Sequence, residues 1–112
     1  MSSPVFTASA ASPALYEERT ALDLIGEAMG SGADVAAVPV DRVCEDFFSL
    51  GSGLAGEIVQ RFANYGIRLV IVGDISRYLA GSQALRDFVR EANRGRQVWF
   101  AATPDELAER LR

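Results

Sequence analysis

The fold is decided by the stretch Ile67-Arg68-Leu69-Val70-Ile71-Val72-Gly73-Asp74. Its centre, Leu69-Val70-Ile71-Val72, is uninterrupted, apolar and rich in β-branched residues, and Gly73 and Asp74 then end the run. A short apolar segment without polar alternation is typical of a strand that is buried on both faces, as in a parallel sheet. We therefore predict a central strand of a parallel sheet over residues 67–72.

Two further apolar segments predict strands on either side of this one. Val35–Val40 is apolar and contains Pro39, which cannot donate to a sheet ladder, so this strand either lies near an edge or ends at that proline. Val98–Ala101 follows later, and alternation along a strand directs Trp99 and Phe100 to opposite faces.

Residues 1–14 are rich in Ser, Ala and Pro, and only Val5–Thr7 has the composition of a strand. We predict that this segment is an edge strand or a partly ordered arm. An edge that is incompletely covered can pair with another chain.

Four segments have the apolar spacing of helices that pack on a sheet. Their predicted buried residues are, in chain order, Leu22, Ile25 and Met29; Leu54, Ile58 and Phe62; Leu85, Phe88, Val89 and Ala92; and Leu107, Ala108 and Leu111. Thr103 and Glu106 have the spacing of a capping box at the start of the last helix. Residues 76–79 are predicted to be a mobile crossover, in which Tyr78 either covers the core or contacts a ligand.

Alternating strands and helices predict an α/β fold, because parallel strands need helical crossovers. We expect one small sheet of about four strands, mostly parallel or mixed, with about four helices packed on it. The 112 residues are the usual length of one domain, and no apolar run approaches the roughly 20 residues that cross a bilayer. A single domain over residues 1–112, located in the cytoplasm, is therefore expected.

The composition narrows the possible chemistry. The chain has a net charge of −4 and contains neither histidine nor lysine, and its basic residues are scattered arginines. The commonest general base, the commonest metal ligand and the Schiff-base amine are thereby missing. We predict no nucleic-acid partner, no membrane partner, no metal and no cofactor; the composition favours a protein that is not an enzyme, although carboxylates and hydroxyls leave enzymatic function open.

The most conspicuous motif is Gly51-Ser52-Gly53-Leu54-Ala55-Gly56, at the predicted start of a helix. It fits the G-x-G-x-x-G fingerprint of dinucleotide-binding folds, and Asp74 follows at about the expected distance of 20 residues. That fingerprint needs a strand running directly into the first glycine, whereas residues 45–50 intervene here. The alternative is a glycine-rich turn that packs a helix closely on the sheet.

Several polar side chains are candidates for a site at this helix start. Asp46, Glu57 and Asp74 are predicted to converge near the carboxyl ends of the strands, where open α/β sheets bind ligands, or else to cap turns and helices. The other candidate binding residues are Phe47, Ser49, Gly51, Ser52, Gly53, Gly56, Gln60, Arg86, Asn93 and Arg94.

Arginines provide a further candidate surface. Either Arg61 and Arg68 or the arginines of the third predicted helix are candidates for an anion-binding face. The alternative is that such arginines pair with Asp87 or Glu91 on the surface. The third-helix arginines are Arg86, Arg90 and Arg94.

Three stretches together resemble a family known as domain of unknown function 4180. These stretches are Asp46–Phe62, Asn64–Asp74 and Leu85–Gly95, and the likeness extends from about residue 20 to the end of the chain. The resemblance implies relatives for the fold and no particular activity. Relatives begin with two strands, whereas only Val5–Thr7 is available here.

The order of elements also resembles the sulfate-transporter and anti-sigma-antagonist (STAS) domains, which are non-enzymatic binding modules. Several of them are switched by phosphorylation of a serine in an Asp-Ser-Ser/Thr-Gly turn. Here Gly51 stands at the phospho-acceptor position and Leu50 at that of the aspartate, while Ser49 and Ser52 flank them. The resemblance implies a regulatory role without the usual switch.

Two functions follow from these observations. The first is a regulatory or protein-interaction module that binds a protein partner or a second copy of itself through Ser49–Glu57. The alternative is a binder of a small anionic ligand or nucleotide, or a cofactor-dependent enzyme, that uses the same helix start with Asp46, Glu57 and Asp74.

Overall fold

The computed structural model describes residues 5–9 and 14–111 and has an α/β fold. Four strands form one sheet in the order β1-β2-β3-β4, and every neighbouring pair is parallel. The strands are β1 (Val5–Thr7), β2 (Val35–Pro39), β3 (Arg68–Val72) and β4 (Val98–Ala101). The helices are α1 (Glu18–Gly30), α2 (Leu54–Asn64), α3 (Ser76–Leu79), α4 (Gln83–Arg94) and α5 (Pro104–Leu111). The predicted fold class is confirmed, with five helices instead of about four.

Strand β3 lies in the interior of the sheet, as its sequence predicts. Leu69 pairs with Ala36 of β2 on one side and with Val98 of β4 on the other. Leu69 and Val70 are fully buried. The strand ends at Gly73, whose φ of 141° favours glycine and where a Cβ atom would lie 2.5 Å from Cγ1 of Val40. Strand β2 ends at Pro39, and β1 is an edge strand.

The larger core lies between one face of the sheet and the helices α1, α2 and α4. Alternation along the strands directs Leu69, Ile71 and Phe100 to this face. The buried helix residues that cover it are Ala21, Leu24, Ile25, Ala28, Ala55, Ile58, Phe62 and Leu85. The three crossover helices of the sheet therefore share one face.

The opposite face has a smaller core, which α5 covers. Val70 and Trp99 pack there against Leu107, and Trp99 thus lies on the other side of the sheet from Phe100, as predicted. Thr103 caps α5, since its Oγ1 accepts a hydrogen bond of 3.1 Å from the N–H of Glu106. The Glu106 carboxylate accepts a hydrogen bond of 3.3 Å from the N–H of Ala102, the residue before the cap, and not from Thr103 itself.

One expectation about local structure was wrong. In α1 the predicted stripe included Leu22 and Met29, but these side chains are exposed, and the helix buries Ala21, Leu24 and Ala28 together with Ile25 instead. The buried set has the spacing i, i+3, i+4, i+7 of a helix face, but its two alanines give a weak apolar signal. Residues 76–79, in the predicted crossover from β3 to β4, form the short helix α3.

Candidate functional site

The segment between β2 and α2 lies at the carboxyl edge of the sheet and consists of three short 3₁₀ turns. They are Val40–Arg42, Glu45–Phe48 and Leu50–Ser52. The last two are held together by Ser52, whose Oγ donates to the carbonyl of Asp46 at 2.8 Å and accepts from the N–H of Leu54 at 3.2 Å. The Ser52 hydroxyl therefore links the turns to the start of α2.

The glycines of the fingerprint-like motif have a different role from the predicted one. Gly51, Gly53 and Gly56 are exposed, and a Cβ atom on any of them would meet nothing within 4 Å. Close packing of the helix on the sheet therefore does not explain them, and the close-packed helix start predicted for these residues was wrong. Only Gly53 needs to be glycine, because its φ of 77° is left-handed. No strand runs into Gly51, so the dinucleotide geometry is also missing.

An aromatic stack connects this segment to α3. The rings of Phe48 and Tyr78 are parallel within 10°, with centroids 4.1 Å apart. The Arg77 guanidinium lies 4.6 Å from the Tyr78 centroid, donates a hydrogen bond to the Tyr78 hydroxyl, and forms an ion pair of 3.6 Å with Glu45. The hydrogen bond to Tyr78 is the main cause that raises the pKa of Arg77, which stays positively charged. Phe47 and Phe48 are both buried in the larger core, and Phe48 is only 5% exposed, so Tyr78 and Arg77 supply the accessible part of the stack.

The stack forms one wall of an open groove of about 720 Å³. We call it the carboxyl-edge groove; its lining residues are Glu45, Asp46, Phe48, Ser49, Leu50, Gly51, Arg77, Tyr78, Ser82 and Ala84. The exposed residues Ser49 and Gly51 form another part of its surface. Two carboxylates and one guanidinium line the groove, so its charge does not favour an anion.

The three predicted carboxylates do not form one cluster. Asp46 lines the carboxyl-edge groove, Asp74 lines a neighbouring depression with Cys44, and Glu57 lines neither of them. In the part of the chain that the structure describes, no three His, Cys, Asp or Glu side chains gather into a group that could hold a metal ion.

Asp74 acts within its own turn. One of its carboxylate oxygens accepts hydrogen bonds from the hydroxyl and, at 2.9 Å, from the N–H of Ser76 at the start of α3. These bonds, the one from the hydroxyl first, lower the pKa of Asp74 below its ordinary value of 3.8. A carboxylate of lowered pKa is a poor general base near neutral pH, so the geometry favours a turn-forming role for Asp74.

The remaining predicted residues lie away from the groove wall and have partners of their own. Gln60 donates to Asn64 at 2.8 Å, and Arg86 donates to the carbonyl of Leu79 and to Gln83, both at 2.8 Å. Arg90 pairs with Asp87 at 2.7 Å and Arg94 with Glu91 at 3.5 Å. These three arginines belong to α4, which is the third of the helices predicted from the sequence. They make local contacts, which favours the alternative that they pair on the surface.

Asn93 lies near the end of α4, beside the outer edge of β4, and connects three elements. Its Oδ1 accepts a hydrogen bond of 2.8 Å from the N–H of Phe100 in β4, and its carbonyl accepts one from Arg110 in α5. These contacts give Asn93 a role in closing the outer edge of β4.

Sequence reasoning missed the residues that shape the groove wall. Glu45 and Arg77 carried no motif, and Tyr78 was predicted either to cover the core or to contact a ligand, without a partner for its ring. Their contacts join residues far apart in the chain, and only the sheet brings the end of β3 beside the 3₁₀ turns. The cluster Asp46-Phe47-Phe48 was the single local signal. Both of its rings are buried in the larger core, in an edge-to-face contact with centroids 5.4 Å apart, and Phe48 also stacks on Tyr78.

Comparison with known proteins identifies a family. The sequence profile described as "Domain of unknown function (DUF4180)" matches residues 2–111. No curated protein and no solved structure gives a match, and the STAS resemblance therefore stays a prediction. Among residues 5–9 and 14–111, no helix has the length and hydropathy that a membrane span requires.

Proposed function

We propose that this chain, which belongs to the DUF4180 family, is a regulatory or scaffolding module that binds a protein partner through the carboxyl-edge groove. The observation that supports this most is the stack of Arg77 and Tyr78 on the buried ring of Phe48, beside the exposed residues Ser49 and Gly51. Tyrosine and arginine contribute much of the binding energy in protein interfaces, so the stack has suitable contact residues.

The shape and the charge of the groove suit a protein segment better than a small ligand. Small-molecule sites are enclosed and mostly apolar, whereas this groove is open and has charged side chains along it. Glu45 and Asp46 offer acceptors, and Arg77 offers donors, at the rim. A partner with an apolar side chain on Tyr78 and basic groups towards the two carboxylates would complement this surface.

The protonation chemistry of the site also supports binding over catalysis. A general acid or base works best with a pKa near the operating pH. The pKa of Asp74 is lowered and that of Arg77 is raised, so both shifts move away from neutral pH and keep these groups in their charged forms. Charged groups with fixed protonation are useful as ion-pair partners in an interface.

A capture experiment with matched variants tests the proposal. The tagged chain, its Gly51→Arg variant and its Gly30→Arg variant are used as baits in lysates of the cells that naturally express the protein, with quantitative mass spectrometry as readout. Both glycines are exposed and have ordinary φ values with free space at the Cβ position, so both arginines fit without strain. Gly51 lies in the groove, whereas Gly30 ends α1 away from it.

We expect the unchanged chain and Gly30→Arg to recover the same partner in stoichiometric amounts, and Gly51→Arg to recover at least ten times less. Equal recovery by all three baits would place the contact surface elsewhere. If no bait recovers a partner and the purified chain is monomeric, the interaction function is wrong. A thermal shift by nucleotides or small anions that Gly51→Arg abolishes would instead favour the ligand-binding alternative.

A further inference from the structure

Two arginines contact the same tryptophan at the amino edge of the sheet. The guanidinium carbon of Arg68 lies 4.2 Å from the centroid of the Trp99 ring, and that of Arg110 lies 3.9 Å from it. The two cations are thus near neighbours, since both are in contact with one ring. Arg68 begins β3 and Arg110 lies in α5, so the sheet and the helix each supply one of the charges.

The positive charge at this place is not balanced by ion pairs. Among the described residues, no carboxylate lies within ion-pair distance of Arg68, Arg96 or Arg110. Burial and then the charge of Arg68 lower the pKa of Arg110, while Glu106 acts in the opposite direction. Like charges held near one another without an ion-pair partner are unfavourable, and an anion bound beside them would relieve this repulsion.

The arginines are held in place by contacts that leave donors available. Arg68 uses its Nε to donate to the carbonyl of Arg96 at 2.7 Å, and no other hydrogen bond of its guanidinium is found among the described residues. Arg110 uses both terminal nitrogens on Asn93. The two terminal nitrogens of Arg68 therefore have unused donors in a fixed position.

A cavity of about 220 Å³ lies beside Arg68. Arg96 and Arg68 both line it, and the carboxylate-bearing residue among its lining is Asp34. Arg96 is exposed and does not stack on Trp99. Packing on the tryptophan ring therefore explains the positions of Arg68 and Arg110. It does not explain why Arg96 lines the cavity.

We propose that the amino edge binds an oxyanion of the phosphate type in this cavity, between the guanidinium groups of Arg68 and Arg96. The positive charge of Arg110, which contacts the same Trp99 ring as Arg68, strengthens the attraction for the anion. Guanidinium groups match the tetrahedral oxygens of phosphate with paired N–H donors. A phosphate dianion also neutralises two guanidinium charges, which a carboxylate does not. The site is at the opposite edge of the sheet from the carboxyl-edge groove and does not depend on the function proposed there.

Trp99 is the single tryptophan of the chain and reports on this site directly. Inorganic phosphate is titrated into the protein at pH 7.5 and constant ionic strength, with sodium chloride as the balancing salt, while the tryptophan emission is recorded. Sodium acetate and glycerol phosphate are titrated in the same way. The variants are Arg96→Gln, which removes a cavity cation without touching the ring, and Arg90→Gln, a control whose arginine pairs with Asp87 on α4.

We expect a saturable change in emission with phosphate in the millimolar range, a dissociation constant at least fivefold weaker in Arg96→Gln, and no change in Arg90→Gln. Phosphate also raises the unfolding temperature of the unchanged chain above that in chloride, which gives a second readout. Tighter binding of glycerol phosphate identifies a phosphomonoester as the ligand, and equal or weaker binding identifies free phosphate.

Three results would overturn the proposal. The first is a linear response that sodium chloride reproduces, which is general screening. The second is binding of acetate as tight as that of phosphate. The third is an unchanged phosphate affinity in Arg96→Gln when its emission before titration equals that of the parent chain.

Discussion

Gly53 has a backbone conformation that separates it from the other glycines of its motif. Its φ of 77° lies in the left-handed region, whereas Gly51 and Gly56 have ordinary φ values. A left-handed residue with a Cβ atom costs about 1–2 kcal/mol, and Gly→Ala inside a helix gains about 0.5–1 kcal/mol. The three positions thus respond differently to the same substitution.

We predict that Gly53→Ala lowers the free energy of unfolding by about 1–2 kcal/mol. Gly51→Ala is expected to change it by less than about 0.5 kcal/mol, and Gly56→Ala in α2 to raise it by about 0.5–1 kcal/mol. Urea denaturation of the three variants measures these values. A large loss in Gly56→Ala would show that the helix needs close backbone approach there, as a dinucleotide fingerprint does.

Asp74 and Ser76 make a second prediction at this scale. The folded-state pKa of Asp74 is lowered, mainly by the Ser76 hydroxyl, so its contribution to stability is present above pH 3.8 and is lost as the pH falls through the folded-state value. Ser76→Ala removes the hydroxyl bond, and we expect the pKa of Asp74 to move up towards 3.8. An NMR titration of the side-chain carboxyl carbons measures this shift. An unchanged Asp74 pKa in the variant would contradict the assignment.

Sequence patterns predicted those residues whose role depends on near neighbours in the chain. Thr103 and Glu106 are three residues apart, and the cap that they form was recognised from that spacing. Tyr78 lies in α3 and Phe48 in a 3₁₀ turn, and nothing near either residue in the chain indicates their contact. Of the predicted binding residues, Asp46, Ser49 and Gly51 line the carboxyl-edge groove, whereas the contact between Phe48 and Tyr78 was not predicted.

At the scale of single elements, β4 shows how side chains cover the free edge of an outer strand. It lies at one end of the sheet, and Asn93 of α4 accepts from the N–H of Phe100, while Arg110 of α5 binds Asn93 in turn. A side chain on the outer edge of a strand occupies the groups that another strand would otherwise pair with. Asn93 thus has a structural role that accounts for it without a ligand.

We predict that Asn93→Ala lowers the free energy of unfolding by about 1–3 kcal/mol, because the half-buried N–H of Phe100 loses its acceptor. The amide of Phe100 should also exchange faster with deuterium. Asn64→Ala is the matched control near the end of α2, where the exposed Asn64 side chain accepts only from Gln60, and it should change stability by less than about 0.5 kcal/mol. Equal effects of the two substitutions would refute the role of Asn93 at the edge.

The buried face of α1 provides another test. Leu24 is fully buried, whereas Met29 is 52% exposed, although the apolar pattern alone assigns Met29 to the core. Leu24→Ala is expected to cost about 2–5 kcal/mol, and Met29→Ala less than about 0.5 kcal/mol. The midpoints of urea denaturation decide between the two faces, and a larger loss in Met29→Ala would contradict the observed packing.

For the whole molecule, the parallel sheet separates two kinds of surface. Its carboxyl edge has an aromatic stack beside exposed residues, and its amino edge has arginines around Trp99. The apolar run Leu69–Val72 predicted a central strand, and the alternation of strands with helices predicted that the sheet is mostly parallel or mixed. Tertiary packing decides which side of α1 is buried and which distant segments come into contact. The local spacing of residues in a single sequence does not encode that packing.

The central claim is that the carboxyl-edge groove binds a protein partner. Hydrogen–deuterium exchange of the captured complex, compared with the free chain, tests it most directly, since backbone amides report protection along the whole chain. We predict slower exchange in residues 45–52 and 76–84 on binding, with no change in residues 91–97 at the amino edge. Protection confined to residues 91–97, or the same exchange in both states, would contradict the claim.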